Sequence, residues 1–160
     1  MENYIPRLGD LIIVKGLTWI GKEIESITKS EYSHIAGLVK TNELIEAAGF
    51  RKTGYQGLDY YAGLADIFIC PSITEEQREI IVNYAIQEVG SRYDYLLILW
   101  EAIRYMTHVL LPYKEMKTRI CSTLWSDAYL AAGIDLCPGV KYPSPGDLAK
   151  SKSLVKIAPL

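Results

Sequence analysis

The sequence predicts an α+β fold in which an antiparallel sheet packs against helices. Three observations predict it: strand signals cluster before Pro71, helix signals dominate after it, and no strand–helix–strand alternation marks a parallel sheet. Leu8-Gly-Asp-Leu-Ile-Ile-Val-Lys15 reads as a strand entered through a glycine. Ser33–Lys40 and Glu43–Ala48 read as two further strands joined as a hairpin. Between the first strand and the hairpin, Trp19, Ile20, Ile24 and Ile27 recur at helical spacing among charged residues, which predicts a short amphipathic helix. The Tyr- and Gly-rich stretch Gly54–Gly63 is expected to be loop. Ala65–Cys70 is a fourth strand, stopped by Pro71, which offers a ladder no donor.

Thr74-Glu-Glu-Gln77 has the form of a capping box. The run to Val89 carries Ile80, Ile81, Tyr84, Ala85 and Val89 as its apolar stripe, with Gly90 as the stop. A second helix is expected from about Asp94 to Leu111, ended by Pro112, and a third from Cys121 to Ala132, ended by Gly133. The tail from Tyr142 to Leu148 reads as loop passing into a last short element. No repeat, linker or low-complexity segment divides the chain, so residues 1–160 are expected to form one domain around one core.

Charge narrows the function classes. Lys plus Arg total 17 against 19 Asp plus Glu, and the basic residues are scattered, so the footprint that neutralises phosphates is missing and nucleic acid is not expected as a partner. The most apolar segment, Tyr95–Trp100, is closed by Asp94 and Glu101 and falls far short of the roughly 20 residues that span a bilayer. The start, MENYIPRLGD, lacks a basic region followed by an apolar run, so no signal peptide is expected. That predicts a cytoplasmic, reducing setting, with release by some other route left open. The three cysteines, at 70, 121 and 137, would then be thiols; they form no CxxC pair and, with two histidines, no zinc-ligand spacing.

Cys121 opens a helical pattern whose apolar face is Leu124, Trp125, Ala128, Tyr129 and Ala132. At a helix start, free N–H groups and the positive end of the dipole favour a thiolate, and the same N–H groups can hold an oxyanion. The competing reading is a buried cysteine acting as a small hydrophobe. Cys70, at a strand end, and Cys137, in the loop Leu136–Gly139, lack a helix terminus and read as structural. A nucleophilic thiol needs a base. Of the two histidines, His108 lies inside an apolar helical pattern, so His34, at the head of a strand, is the candidate by elimination.

Glu46, flanked by Leu44, Ile45, Ala47 and Ala48, sits where a carboxylate is costly unless paired, which suits a group that orients His34; a solvent-facing glutamate at a strand end is the competing reading. The choice depends on parity. An odd number of connecting residues puts Glu46 on the face of His34, whereas a two-residue turn at Thr41-Asn42 puts it on the other.

Gly9-Asp10-Leu-Ile, Ser33-His34-Ile-Ala-Gly-Leu-Val, Leu44-Ile-Glu46-Ala, Tyr93-Asp94-Tyr, Cys121-Ser122-Thr-Leu and Ser144-Pro145-Gly-Asp-Leu, in that order, resemble the circularly permuted branch of the NlpC/P60 papain-like superfamily, the group around the YiiX-like hydrolases. The resemblance implies a permuted papain-like fold with the histidine strand ahead of the cysteine helix. It implies that Cys121 attacks a carbonyl, that His34 carries the proton and that Glu46 holds the imidazole. Tyr93 and Ser122 are implied as substrate contacts, Tyr93 lining the site or completing an oxyanion hole. The family often has an acidic residue where this chain has Thr123, which bears on substrate contacts.

The implied activity is a thiol-dependent amidase or peptidase acting on a short peptide amide of the cell-wall type, with no metal and no organic cofactor. Two alternatives stand beside it. One is lipid ester or thioester chemistry of the lecithin:retinol acyltransferase-like type, with Trp19 and Leu96–Trp100 lining an acyl groove. The other is a papain-like module that binds without catalysis. Thiol reactivity separates the enzymes from the module.

Overall fold

The computed structural model describes residues 4–16, 30–47, 52–93, 118–119 and 121–160. The expected helices near Trp19–Ile27 and Asp94–Leu111, together with His108 and the Leu96–Trp100 segment, lie outside the described residues.

Strands β1 (Leu11–Lys15), β2 (Tyr32–Lys40), β3 (Glu43–Glu46), β4 (Gly54–Gly57), β5 (Ala65–Ile69) and β8 (Val155–Pro159) form one antiparallel sheet in the order β4-β3-β2-β1-β5-β8. Between β4 and β5 lies one turn of 3₁₀-helix, Leu58–Tyr61. Among the described residues three α-helices follow: α1 (Glu75–Gln87), α2 (Cys121–Ala131) and α3 (Pro145–Ala149). A second, two-residue ladder pairs β6 (Arg92–Tyr93) with β7 (Thr118–Arg119) in parallel. The architecture is mixed α+β.

The central strands β1 and β2 are buried on both faces, and each face carries its own apolar cluster. On one, Leu11, Ile13, Ile35, Ile45 and Phe68 meet Ile81 and Ala85 of α1 and Leu124, Trp125, Ala128 and Tyr129 of α2. On the other, Ile12, Val14, Ala36, Leu38, Leu44 and Ile67 are covered by Leu58 and Tyr61 of the 3₁₀ turn, with Tyr4 and Leu160 packed alongside. Alternating side chains along β1 feed the two clusters in turn, as the period of a strand requires.

Helix α1 starts as the capping box predicts. Gln77 N–H donates to Thr74 Oγ1 and Thr74 N–H to Gln77 Oε1, both at 3.1 Å. Its buried side is not the expected stripe: Ile81 and Ala85 are buried, joined by Arg78 and Val82, whereas Ile80 and Val89 are exposed. Arg78 turns inward because Nη1 meets Asp10 Oδ1 at 2.9 Å and the Leu8 carbonyl at 2.6 Å, and Asp10 is fully buried. Gly90 and Gly133 follow α1 and α2 at φ +91° and +81°, where L side chains are strained, so both stops fall as read.

Helix α2 is seated by one close approach. Trp125 lies fully buried against β2 at Gly37, where an added Cβ would come within 2.6 Å of ring atom Cε2 and closer to two others. Trp125 Nε1–H donates to the Ile45 carbonyl at 3.2 Å, and Tyr129 O–H to the Gly9 carbonyl at 2.7 Å. The helix is thereby fixed to three segments of the sheet side.

Two local expectations are corrected. Gly54–Gly63 is not loop: it forms the edge strand β4 and the 3₁₀ turn, because Leu58 and Tyr61 are apolar enough to cover the second face while Asp59 and Tyr60 stay outside. The tail does more than add one short element. Ser144 caps α3, accepting from Asp147 N–H at 3.1 Å, and the chain then returns as the edge strand β8, which the sequence reading did not anticipate.

Candidate functional site

His34 and Glu46 come together through a correction to the hairpin. The turn is the two-residue Thr41-Asn42, the case that should have separated them. The register shifts by one, however: Lys40 pairs Glu43 but Leu38 pairs Leu44, so Val39 is the extra residue of a bulge. Beyond it Ala36 opposes Glu46, and Glu46 lies on the face that His34 shares with Ala36. The bulge restores the parity that the turn removes.

A second irregularity lies at the other end of β2. Val14 pairs His34 while Lys15 pairs Tyr32, so Ser33 is skipped. Tyr32 therefore turns to the helix-covered face, where it meets Phe68 edge-on at 5.7 Å, although it stands two residues from His34. His34 keeps the opposite side.

His34 Nε2 lies 2.8 Å from Glu46 Oε2, with the two side chains 18% and 7% exposed. The same carboxylate oxygen accepts the Tyr61 hydroxyl, and the Tyr61 and His34 rings sit 5.9 Å apart. Cys121, the first residue of α2, is 5% exposed and near enough to His34 to act on the charge of its imidazole. Burial pulls the imidazole toward its neutral form, but negative charge on Cys121 and the Glu46 carboxylate outweigh it and push the His34 pKa up to about 10. Burial and the Glu46 carboxylate push the Tyr61 hydroxyl far above its usual range, so it keeps its proton and remains a donor.

The first turn of α2 holds no acidic side chain to neutralise the helix N-terminus. An anion formed at Cys121 therefore faces both an imidazolium and a helix N-terminus whose own first turn carries no acidic side chain. Such an arrangement can run acyl transfer through a thiol.

The remaining predicted residues divide. Ser122, next to Cys121, is fully buried, and its Oγ finds no hydrogen-bond partner among the described residues. The Tyr93 backbone pairs with Arg119, two residues ahead of Cys121, while its side chain lies outside the described residues. Cys70 is fully buried, as its structural reading expects. Cys137 is also buried, and burial pushes its thiol up to about 11. Tyr61 is the site neighbour that sequence reasoning missed. Its signal was the phase of Leu58 and Tyr61, three residues apart, as on one side of a 3₁₀ turn.

Comparison with solved structures adds the overall likeness. The structure superposes on the crystal structure of the metalloprotein YiiX from Escherichia coli O157:H7, DUF1105, with a TM-score of 0.74 at 17% identity, over 98% of this chain and 99% of that one. The fold is YiiX-like. No family model matches the chain, and no curated protein matches it by sequence. At 17% identity the likeness to YiiX concerns the path of the backbone, not the chemistry. Among the described residues, no helix is long and apolar enough to cross a membrane.

Proposed function

We propose that this YiiX-like chain is a thiol-dependent hydrolase of the permuted papain-like, NlpC/P60 type, folded as one domain, that cleaves an amide of a short peptide. The observation that carries the reading is the His34–Glu46 contact at 2.8 Å, with Cys121 at a helix start acting on the same imidazole. His34 acts as the base and takes the proton of Cys121. The thiolate attacks the carbonyl carbon, backbone N–H groups at the start of α2 receive the developing oxyanion, and His34 hands its proton to the leaving amine. Neutral imidazole then takes a proton from water, which attacks the thioester and frees Cys121. Glu46 holds the ring and offsets the imidazolium charge throughout.

The structural neighbour is described as a metalloprotein. Among the described residues of this chain no group of three or more His, Cys, Asp or Glu side chains could hold a metal ion, and the Glu46 oxygen facing His34 is already engaged by Tyr61. The described residues do not fit a metal, and the proposed steps use none.

The test is the alkylation rate of each cysteine, resolved by peptide mass spectrometry on the folded protein from about pH 5 to pH 9, around the free-thiol reference near 8.5. Cys121 should react fastest despite its burial and lose that lead in His34→Ala, while Cys70 and Cys137 stay slow in both proteins. Cys121 tracking the other two in both proteins would sink the catalytic reading and leave a binding module. Short peptide amides are then the first substrates to screen, with acyl esters and thioesters as the contrast.

A further inference from the structure

We infer that Tyr61 is a positioning residue of this site, whose hydroxyl holds the Glu46 carboxylate ionised and aimed at His34. The inference rests on the proposed Cys121–His34–Glu46 reading and deepens it. A buried carboxylate in this setting has three ways to fail: it can take up a proton, rotate away from the imidazole, or attract water. Glu46 is 6% exposed and shares its face of the sheet with Leu44 and Ala36, so solvent gives its charge little support. Its Oε2 instead receives two donors, Nε2–H of His34 and O–H of Tyr61. Two donors converging on one oxygen restrain the carboxylate more tightly than His34 alone would.

Among the described residues, the titratable groups that meet this carboxylate are His34 from β2 and Tyr61 from the 3₁₀ turn, with Cys121 from α2 acting on the imidazole. Tyr61 differs from the other two in never changing protonation state over the working range, so it is a constant donor while the proton moves between His34 and the reacting groups. Its ring is itself held, buried at 7% exposure with Tyr60 edge-on at 5.0 Å. Tyr60 is 64% exposed and forms the outer side of this pair, so it serves as an internal control that keeps the ring stack but makes no bond to Glu46. A merely structural role for Tyr61 would require its ring alone; the positioning role requires the oxygen.

Tyr61→Phe separates the two. Carbon-13 NMR of side-chain carboxyls, with the Glu46 signal assigned by its loss in Glu46→Gln, gives the protonation midpoint of Glu46 directly. Losing a hydrogen bond to a charged group should raise that midpoint by about 1 to 2 pH units. Cys121 alkylation near neutral pH should fall by up to about tenfold, the equivalent of one hydrogen bond of ordinary strength. Tyr60→Phe should move neither quantity, and in a Glu46→Gln background Tyr61→Phe should cost the alkylation rate nothing further. Thermal melts check that each variant is folded, and the NMR midpoint is read only on folded protein.

An unchanged midpoint and rate in Tyr61→Phe, while His34→Ala still abolishes the lead of Cys121, would overturn the role of Tyr61 and leave the catalytic reading standing. Loss of neither in His34→Ala would overturn both. Should Tyr61→Phe prove unfolded, the Glu46 midpoint of the wild-type protein answers the question: a value at or above the ordinary glutamate reference of about 4.3 would refute the role.

Discussion

Replacing Gly37 by alanine tests the link between packing and the site most directly. The added methyl would sit 2.6 Å from Trp125 Cε2 and nearer to two other ring atoms, where carbon atoms settle at about 3.5–4.0 Å. The ring or its helix must therefore retreat by about 1 Å. The ring has no free volume to enter: Trp125 is fully buried, and its indole N–H is tied to the Ile45 carbonyl. Overpacking of this kind costs about 1–3 kcal/mol, which for a chain of this length lowers the melting temperature by about 2 to 12 °C. Trp125 stands four residues, about one helical turn, after Cys121, so a retreat of α2 carries the thiol away from His34. Displacements of about 1 Å at reacting groups can cost about a hundredfold in rate. Melting by circular dichroism and the alkylation rate of Cys121 measure the two effects on the same sample. Gly37→Ala with an unchanged melting temperature and unchanged Cys121 reactivity would refute the claim that this seam sets the helix position; lost stability with intact reactivity would show that the ring gives way and the helix stays.

Two further outcomes are expected. In Cys121→Ser the anion beside His34 is gone, so the imidazole midpoint, followed by nitrogen-15 NMR and assigned against His34→Ala, should fall from about 10 by at least one pH unit; a midpoint that stays put would mean the charge on Cys121 does not hold that proton. Asp66 is fully buried, and although burial would raise its pKa, hydrogen bonds from Lys156 at 2.6 Å, Tyr32 at 2.6 Å and Lys15 at 3.3 Å outweigh that and hold the carboxyl below the usual range. A carboxyl depressed in the fold stabilises it above the unfolded pKa of about 4 and loses that contribution as pH falls through its folded value, so Asp66→Asn should be less stable than wild type by about 1–2 kcal/mol in urea at pH 7, the lysines being half in solvent, with the gap narrowing toward pH 3. A gap of the same size at both pH values would rule out the charge as its source.

Much of the framework was legible because local signals and long-range packing agree there. Leu11–Lys15, Tyr32–Lys40, Glu43–Glu46 and Ala65–Ile69 are strands in which apolar residues run together or alternate, and the capping box at Thr74 marks a helix whatever packs on it. Arg78 was not legible, because its burial depends on Asp10, 68 residues away. Neither was β8: Val155, Lys156 and Ile157 are exposed, so no buried periodicity announces the strand, which forms because β5 offers an open edge. Gly54–Gly63 read as loop from composition, since glycine and tyrosine carry no pattern until the second face of the sheet exists to be covered. Cys121 and His34 could be nominated from chemistry alone, whereas Tyr61 becomes visible only once Glu46 has been placed.

The hairpin shows why a conditional reading of the sequence was the most that parity allowed. A two-residue turn and a one-residue bulge are each able to move Glu46 to the other face, and neither Thr41-Asn42 nor Val39 announces a bulge by its residue type. What decides between registers is the whole strand. Without the extra residue Val39 would oppose Leu44, Leu38 would oppose Ile45 and Gly37 would oppose Glu46, so the carboxylate would turn to the face on which Gly37 admits Trp125. That register would bury an unpaired charge against the indole and displace Ile45, fully buried beneath α2, into the 3₁₀ side. The bulge avoids both costs at once. It keeps Ile45 under Trp125 and delivers Glu46 to His34 and Tyr61, so the register that satisfies the core is also the one that assembles the site.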